Sequence, residues 1–294
     1  MKKIFSKNIF ERILWKFARP FSSLLFFSHN LFYKNPITKN PLTYSIDDYL
    51  INFKNSVLID EHPIKNNKTF QNYPPNFKFI EKLAFEAHNV LKDKKNSYIH
   101  GYILNSYLKK YIDKLFSGKE YPGNLNIIDI GTARGFSSLC LAIALDEHNC
   151  AGKIFTFDVI PSRKKFFWNS PSDLKRGKLT RIQLLQNWND LVKKYIIFFS
   201  TATFNSLNIV DIPIINFGFV DGSHNFKDVI FEIEYIIKRL NKEAILIFDD
   251  YDSDLFPGVV KACDYLFSLN LHSNCEFIKI QNQRKIVIFT FGDF

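Results

Sequence analysis

Hydrophobic and polar positions follow two different rhythms along this chain. Ahead of residue 120 the apolar residues recur at helical spacing, whereas from Asn126 onward short β-branched runs alternate with amphipathic stretches. Residues 126–130, 153–159, 180–186, 214–221 and 244–249 read as five strands. Residues 226–240 and 257–269 read as helices, and 161–178 as a polar helix or loop. The last two apolar runs, 276–280 and 285–291, face each other across Gln281-Asn-Gln-Arg284 and predict a terminal hairpin. Strands alternating with helices imply a parallel sheet joined by right-handed crossovers, an α/β doubly wound architecture.

The upstream part reads differently. Residues 1–20 form a basic amphipathic helix on paper, with Phe5, Ile9, Phe10, Ile13, Leu14 and Phe17 on one half and Lys7, Glu11, Arg12 and Arg19 on the other. Pro20 stops it, and the apolar run 21–27 is too short to span a bilayer. The charged, periodic start also lacks the continuous apolar core of a signal peptide. Residues 34–78 are rich in Asn, Lys and Pro and predict an irregular connector with one short helix near 45–53, where Ser45 and Asp48 suit a helix start. Two amphipathic helices come next, over 77–92 and 98–116, the second ending at Gly118; both are expected to cap the front of the sheet. The expected division is therefore a basic extension over 1–95 and a ligand-binding domain over 96–294.

Composition narrows the class. With 46% hydrophobic residues, 32 Phe and only 11 Gly and 11 Pro, the chain is no disordered polymer. Cys140, Cys150, Cys263 and Cys275 make no metal-binding spacing, which argues against a zinc site or a disulfide framework. A reducing cytoplasm is the expected compartment. Residues 1–120 carry 20 basic against 10 acidic side chains, and 121–294 carry 19 of each, so the whole net charge of +10 lies upstream. For residues 1–20 the commoner fate is docking on their own domain or on a second copy, as in a homo-oligomer. The other is an interfacial helix on an anionic membrane, which would place the protein peripherally on the inner face. Nucleic acid is the least favoured partner, because charge asymmetry alone does not identify it.

The chemistry gathers at two places. Asn126-Ile-Ile-Asp-Ile-Gly-Thr-Ala-Arg-Gly135 is a strand running into a turn bracketed by Gly131 and Gly135, with helical spacing from Phe136. Such a turn lets a ligand lie against backbone, and the helix beyond it offers free N–H groups. Asp158 closes the second strand, where it either accepts the hydroxyls of a ribose or serves as a helix cap. The second place is Phe217-Gly-Phe-Val-Asp221-Gly-Ser-His224, then Ile245-Leu-Ile-Phe-Asp249-Asp250-Tyr251 and Phe256-Pro-Gly. Two apolar strands deliver carboxylates at their carboxyl ends, where open α/β sheets bind ligands. Three carboxylates brought together repel unless a cation sits among them, and all-oxygen ligation suits Mg²⁺, Mn²⁺ or Ca²⁺ rather than zinc. The bland alternative is that some of these aspartates cap helices or face solvent, Asp250 first.

The spacing Asp129-x-Gly131-x-x-x-Gly135 resembles motif I of the class I S-adenosylmethionine (AdoMet) methyltransferases rather than a dinucleotide fingerprint. With DGSH, FDDY and PGVxxA in this order, residues 125–265 resemble the cephalosporin-hydroxylase and macrocin-O-methyltransferase group. The resemblance implies a Rossmann-like sheet in the order 3-2-1-4-5-7-6 with the last strand antiparallel, behind an N-terminal helical extension. It implies AdoMet bordered by Asp129, Gly131, Thr132, Ala133, Gly135, Ser137 and Asp158. Trp188, at the end of the expected third strand, either stacks on the adenine or fills the core. A divalent cation, Mg²⁺ first, is implied at Asp221, Asp249 and Asp250, with Asp221 and His224 assisting deprotonation. The implied acceptor is the hydroxyl of a small molecule or sugar; the alternatives are a metal-independent methyltransferase using His224 alone, or a non-catalytic membrane- or partner-binding protein on the same fold. Phe226 stands where the group commonly has tyrosine, and Asn241-Lys-Glu243 replaces its usual Pro-Gly-Gly turn.

Overall fold

A computed structural model describes residues 43–65, 67–91, 97–116, 124–281 and 284–292. The helix expected over 1–20 and the stop at Gly118 lie outside these residues. The first described helix is α1, Ile46–Lys65, followed by α2, Lys68–Asn72, and α3, Phe77–Leu83, which runs into a π-turn over Ala84–His88. Ser45 and Asp48 start α1 as expected: the Ser45 N–H donates to Asp48 Oδ2 at 2.7 Å and the Asp48 N–H to Ser45 Oγ at 3.2 Å. Among the described residues the connector expectation is corrected, because α1 continues to Lys65 and α2 follows at Lys68, while residues 34–42 lie outside them.

The long helix α4, Ile99–Phe116, is no surface cap. It is buried from Ile99 through Leu108 and packs against α5, Phe136–Glu147. Asn105 locks the pair, its amide donating to the Cys140 carbonyl at 2.9 Å. A helix apolar around most of its circumference has neighbours on most sides.

The sheet has seven strands: β1 Leu125–Ile130, β2 Gly152–Asp158, β3 Ile196–Ser200, β4 Ile215–Val220, β5 Leu240–Tyr251, β6 Asn274–Gln281 and β7 Arg284–Phe291. Their order is β3-β2-β1-β4-β5-β7-β6, with β7 antiparallel to both neighbours, as expected. Alternate residues feed two cores. Ile127, Phe217, Phe219, Ile245 and Ile247 join α3, α4 and α5 on one face. Ile128, Val220, Leu246 and Phe248 join α10, Phe226–Ile237, and α11, Pro257–Ser268, on the other. Burial on both faces is why these strands read as unbroken apolar runs.

One strand is corrected. Residues 180–186 contain the short helix α7, Arg181–Leu184, and not β3. Thr180 and Gln183 form a reciprocal capping box, a helix-start signal that outweighs the nearby apolar residues. The strand itself, Ile-Ile-Phe-Phe-Ser, comes after α8, Asn189–Tyr195, with no Gly or Pro between them, so its start is hidden in a helical pattern. Between β2 and α7 lies α6, Pro171–Arg176, and after β3 comes α9, Thr203–Leu207. No described helix is long and apolar enough to cross a membrane.

Candidate active site

The turn after β1 is shaped by three left-handed residues: Gly131 at φ 100°, Ala133 at φ 42° and Gly135 at φ 87°. A Cβ on Gly131 would lie 1.9 Å from the Asp221 carbonyl oxygen, so the first glycine is needed where the β1 exit touches the β4 exit. A Cβ on Gly135 would meet Leu185 at 2.6 Å. Behind the turn Asp129 is fully buried, its Oδ2 accepting from Ser137 at 3.0 Å, from Thr156 at 3.1 Å and from Ser138. Thr132 bonds Thr156 in the same network. Burial pushes the Asp129 carboxyl above the usual range, against the pull of these hydroxyls. Asp129, Thr132 and Ser137 therefore brace the turn from beneath.

Asp158 braces it from the side. Its Oδ2 accepts the Ala133 N–H at 2.6 Å and its Oδ1 the Ile160 N–H at 2.6 Å. The buried Arg181 stands 3.9 Å from Oδ1 and donates to the carbonyls of Ala133 at 2.8 Å and Ile160 at 3.1 Å. A carboxylate has about four acceptor positions, so both oxygens of Asp158 keep capacity for further hydroxyls.

Above the turn opens a cleft of about 510 Å³, a volume usual for cofactor sites. It is lined by Gly131 and Ala133 of the turn, Asp158 to Ile160 after β2, Thr201 to Phe204 after β3, Asp221 to Ser223 after β4, and Asp228 and Glu232 on α10. Four of these residues are acidic and none is Lys or Arg. Val159 and Phe204, 44% and 63% exposed, offer apolar surface to a ring. Glu232 is almost fully buried; its Oε1 accepts from Thr203 at 2.6 Å, and burial lifts its pKa to about 7. Sequence reading missed the β3-exit residues because it placed that strand elsewhere. Trp188, expected at this edge, sits instead in a tight 3₁₀ turn ahead of α8, buried and packed edge-on against Phe79 at 6.4 Å.

Asp221 joins the cleft to a second cluster. Asp221, His224 and Asp250 present ligand-type atoms within 4.8 Å of one another. His224 Nε2 lies 2.9 Å from Asp250 Oδ2, and its ring packs 4.2 Å from that of Phe256. A Cβ on Gly258 would come within 2.3 Å of the His224 carbonyl, which explains the glycine in the first turn of α11. Burial, then repulsion from Asp249 and Asp250, raises the Asp221 carboxyl well above its usual range.

Asp249 and Asp250 are consecutive, and a regular strand would point them to opposite faces. The β5–β7 register breaks between Phe248 and Tyr251, and Asp250 takes φ 57°, a bulge that turns both carboxylates the same way. They converge on Arg284 at the start of β7: Nη2 is 2.7 Å from Asp249 Oδ2 and Nε is 2.7 Å from Asp250 Oδ1. Asp249 Oδ1 meanwhile accepts the Asp250 N–H at 2.7 Å. Burial works to raise Asp249, but Arg284, His100 and that N–H outweigh it and hold the carboxyl below its usual range. The three expected metal ligands are thus divided, Asp221 and Asp250 facing His224 while Asp249 faces Arg284.

Residues 128–251 match the family model described as "Methyltransferase domain", and this is the stretch that carries both halves of the site. With the strand order β3-β2-β1-β4-β5-β7-β6, this is the Rossmann-like methyltransferase fold. Among solved structures, the O-methyltransferase NovP is similar in fold, with 16% identity, a TM-score of 0.50, and coverage of 81% of this chain and 100% of NovP. An O-methyltransferase from Bacillus cereus in complex with S-adenosylhomocysteine shares 15% identity over 85% of this chain and all of its own, at a TM-score of 0.46. CalS11, a TDP-rhamnose 3'-O-methyltransferase, shares 13% over 89% of this chain and 97% of its own, at 0.47. No curated protein matches this sequence. The glycine turn and Asp158 thus line the cleft, and the His224 cluster lies beside it, sharing Asp221 with its wall.

Proposed function

We propose that this protein is a methyltransferase that binds AdoMet in the acidic cleft and transfers its methyl group to the hydroxyl of a small molecule. The observation that carries the reading is the make-up of the cleft wall: four acidic residues, Asp158, Asp221, Asp228 and Glu232, with no Lys or Arg among the lining. A bound cation would draw the raised carboxyls of Asp221 and Glu232 toward their ionised form. AdoMet brings a sulfonium and an ammonium, which an acidic wall attracts, whereas the diphosphate of a dinucleotide would be repelled. Asp158 suits the ribose hydroxyls, and Val159 and Phe204 suit the faces of the adenine.

The sulfonium methyl is already electrophilic, so the chain must align the acceptor and take its proton. The contact between His224 and Asp250, beside the cleft residue Asp221, supports His224 for the second task. With Nε2–H donated to Asp250, Nδ1 is the atom left to accept a proton. The acceptor oxygen forms a bond to the methyl carbon, the carbon–sulfur bond breaks to leave S-adenosylhomocysteine, and the hydroxyl proton passes to His224. A sugar or glycoside acceptor rests on the DGSH, FDDY and PGVxxA resemblance.

Divalent-metal assistance is a second reading, supported by the convergence of Asp221, His224 and Asp250. By donor type, two carboxylates and an imidazole suit Mn²⁺ and, less closely, Mg²⁺, but the Arg284 guanidinium 2.7 Å from Asp250 weighs against an ion there. These three residues would hold the ion, and it would lower the pKa of the acceptor hydroxyl. The test is methyl transfer measured over a panel of hydroxylated acceptors, with and without chelator. Transfer to amines alone would contradict the hydroxyl assignment.

A further inference from the structure

We infer that Arg284 is the resident cation of this site and neutralises Asp249 and Asp250 in place of a divalent ion. The inference rests on the reading of the His224 cluster as the reacting end of the cleft. Its first support is geometry. One guanidinium serves two carboxylates through two different nitrogens: Nη2 hydrogen-bonds Asp249 Oδ2 at 2.7 Å, and Nε lies 2.7 Å from Asp250 Oδ1 in an ion pair without hydrogen-bond geometry.

The second support is that the backbone is bent for this contact. The bulge in β5 and the left-handed Asp250 bring consecutive side chains to the same point, and β7 delivers Arg284 directly opposite them. Third, Asp249 is closed to an entering ion by burial. Its side chain is 1% exposed, Oδ2 belongs to Arg284, and Oδ1 to the Asp250 N–H. Asp250 is likewise shared between Arg284 on Oδ1 and His224 on Oδ2.

An ion entering among Asp221, His224 and Asp250 would therefore sit close to a fixed positive charge and compete with it for Asp250. Arg284 also aims the carboxylate that orients His224, which makes it a positioning residue. The resulting dyad, His224–Asp250, is held without help from solution cations.

Calorimetric titration of Mn²⁺ into the S-adenosylhomocysteine-loaded protein tests this, with cofactor affinity measured on the same samples. Wild type is expected to bind Mn²⁺ no tighter than millimolar, and Arg284→Lys the same, since the charge remains. Arg284→Gln should gain at least tenfold, and adding Asp250→Asn should cancel the gain. Removing Arg284 leaves Asp249 buried without a partner, so Arg284→Gln alone can fail to fold. The double variant Asp249→Asn/Arg284→Gln avoids that charge and should show the same gain. Micromolar Mn²⁺ binding by wild type, or no gain in a folded variant lacking Arg284, overturns the inference. Failure of the methyltransferase reading would show separately, as loss of cofactor binding in every sample.

Discussion

Gly131 and Asp221 are in contact across two strand ends, close enough that a single methyl on Gly131 would overlap the Asp221 carbonyl oxygen at 1.9 Å. The cofactor turn and the acidic cluster are thus one rigid unit, since Gly131 cannot shift without moving Asp221.

Gly131→Ala should therefore cost backbone strain at φ 100° plus overpacking, together about 3 kcal/mol or more, and should abolish S-adenosylhomocysteine binding. Gly177→Ala is the control. That glycine, at φ 68° and ψ −149°, also holds a backbone conformation that favours glycine but has nothing within 4 Å, so about 1–3 kcal/mol of strain without overpacking is expected. Denaturant unfolding of the two variants checks the difference, and equal losses would remove the contact from the account.

Asp158→Asn keeps the shape of the side chain but sets an N–H₂ against one of two N–H donors, Ala133 or Ile160, each 2.6 Å away. The expected loss is about 1–3 kcal/mol of stability together with weaker cofactor binding. A variant that unfolds like wild type and binds S-adenosylhomocysteine equally well would show that Asp158 neither braces the turn nor meets the ribose.

Glu232 makes stability depend on pH. Its native pKa is raised to about 7 from an ordinary 4.5, so the folded state holds the proton more tightly than the unfolded one. Stability should fall as pH rises through that window, by on the order of 3 kcal/mol in full. Glu232→Gln retains an acceptor for Thr203 and removes the ionisation. It should melt several degrees above wild type at pH 8 and much closer to it at pH 5; a constant gap at both would refute the assignment.

His224→Ala should slow methyl transfer by about 10²–10⁴-fold, the usual worth of a positioned general base. Cofactor affinity should not change, because the ring packs on Phe256 outside the cleft lining. A parallel loss of S-adenosylhomocysteine binding would mean that His224 supports the fold rather than the chemistry.

The strand-turn-helix at Gly131 and the acidic strand ends were legible because both are local: a few residues of fixed spacing specify each. The β3 strand was not, since Ile196–Ser200 comes after α8 without a breaker, while the apolar residues near Leu184 resemble a strand until the Thr180–Gln183 box is recognised. Nor was Arg284 legible as a site residue. Its two carboxylate partners lie 35 and 34 positions earlier and meet it only because β5 and β7 pair with a bulge between them. Arg181 escaped for the same reason, its carbonyl partner at Ala133 lying 48 residues away. The α4 helix looked amphipathic because tyrosines and Asn105 count as polar in a pattern, yet all are buried with the core.

The central claim is that the acidic cleft is a site for the positively charged methyl donor. Calorimetric titration of the purified protein with AdoMet, S-adenosylhomocysteine and NAD⁺ tests it most directly. AdoMet and S-adenosylhomocysteine should bind with one site per chain and Asp158→Asn should weaken both, while NAD⁺ should give no heat of binding. Binding of NAD⁺ without either sulfur compound would contradict the account.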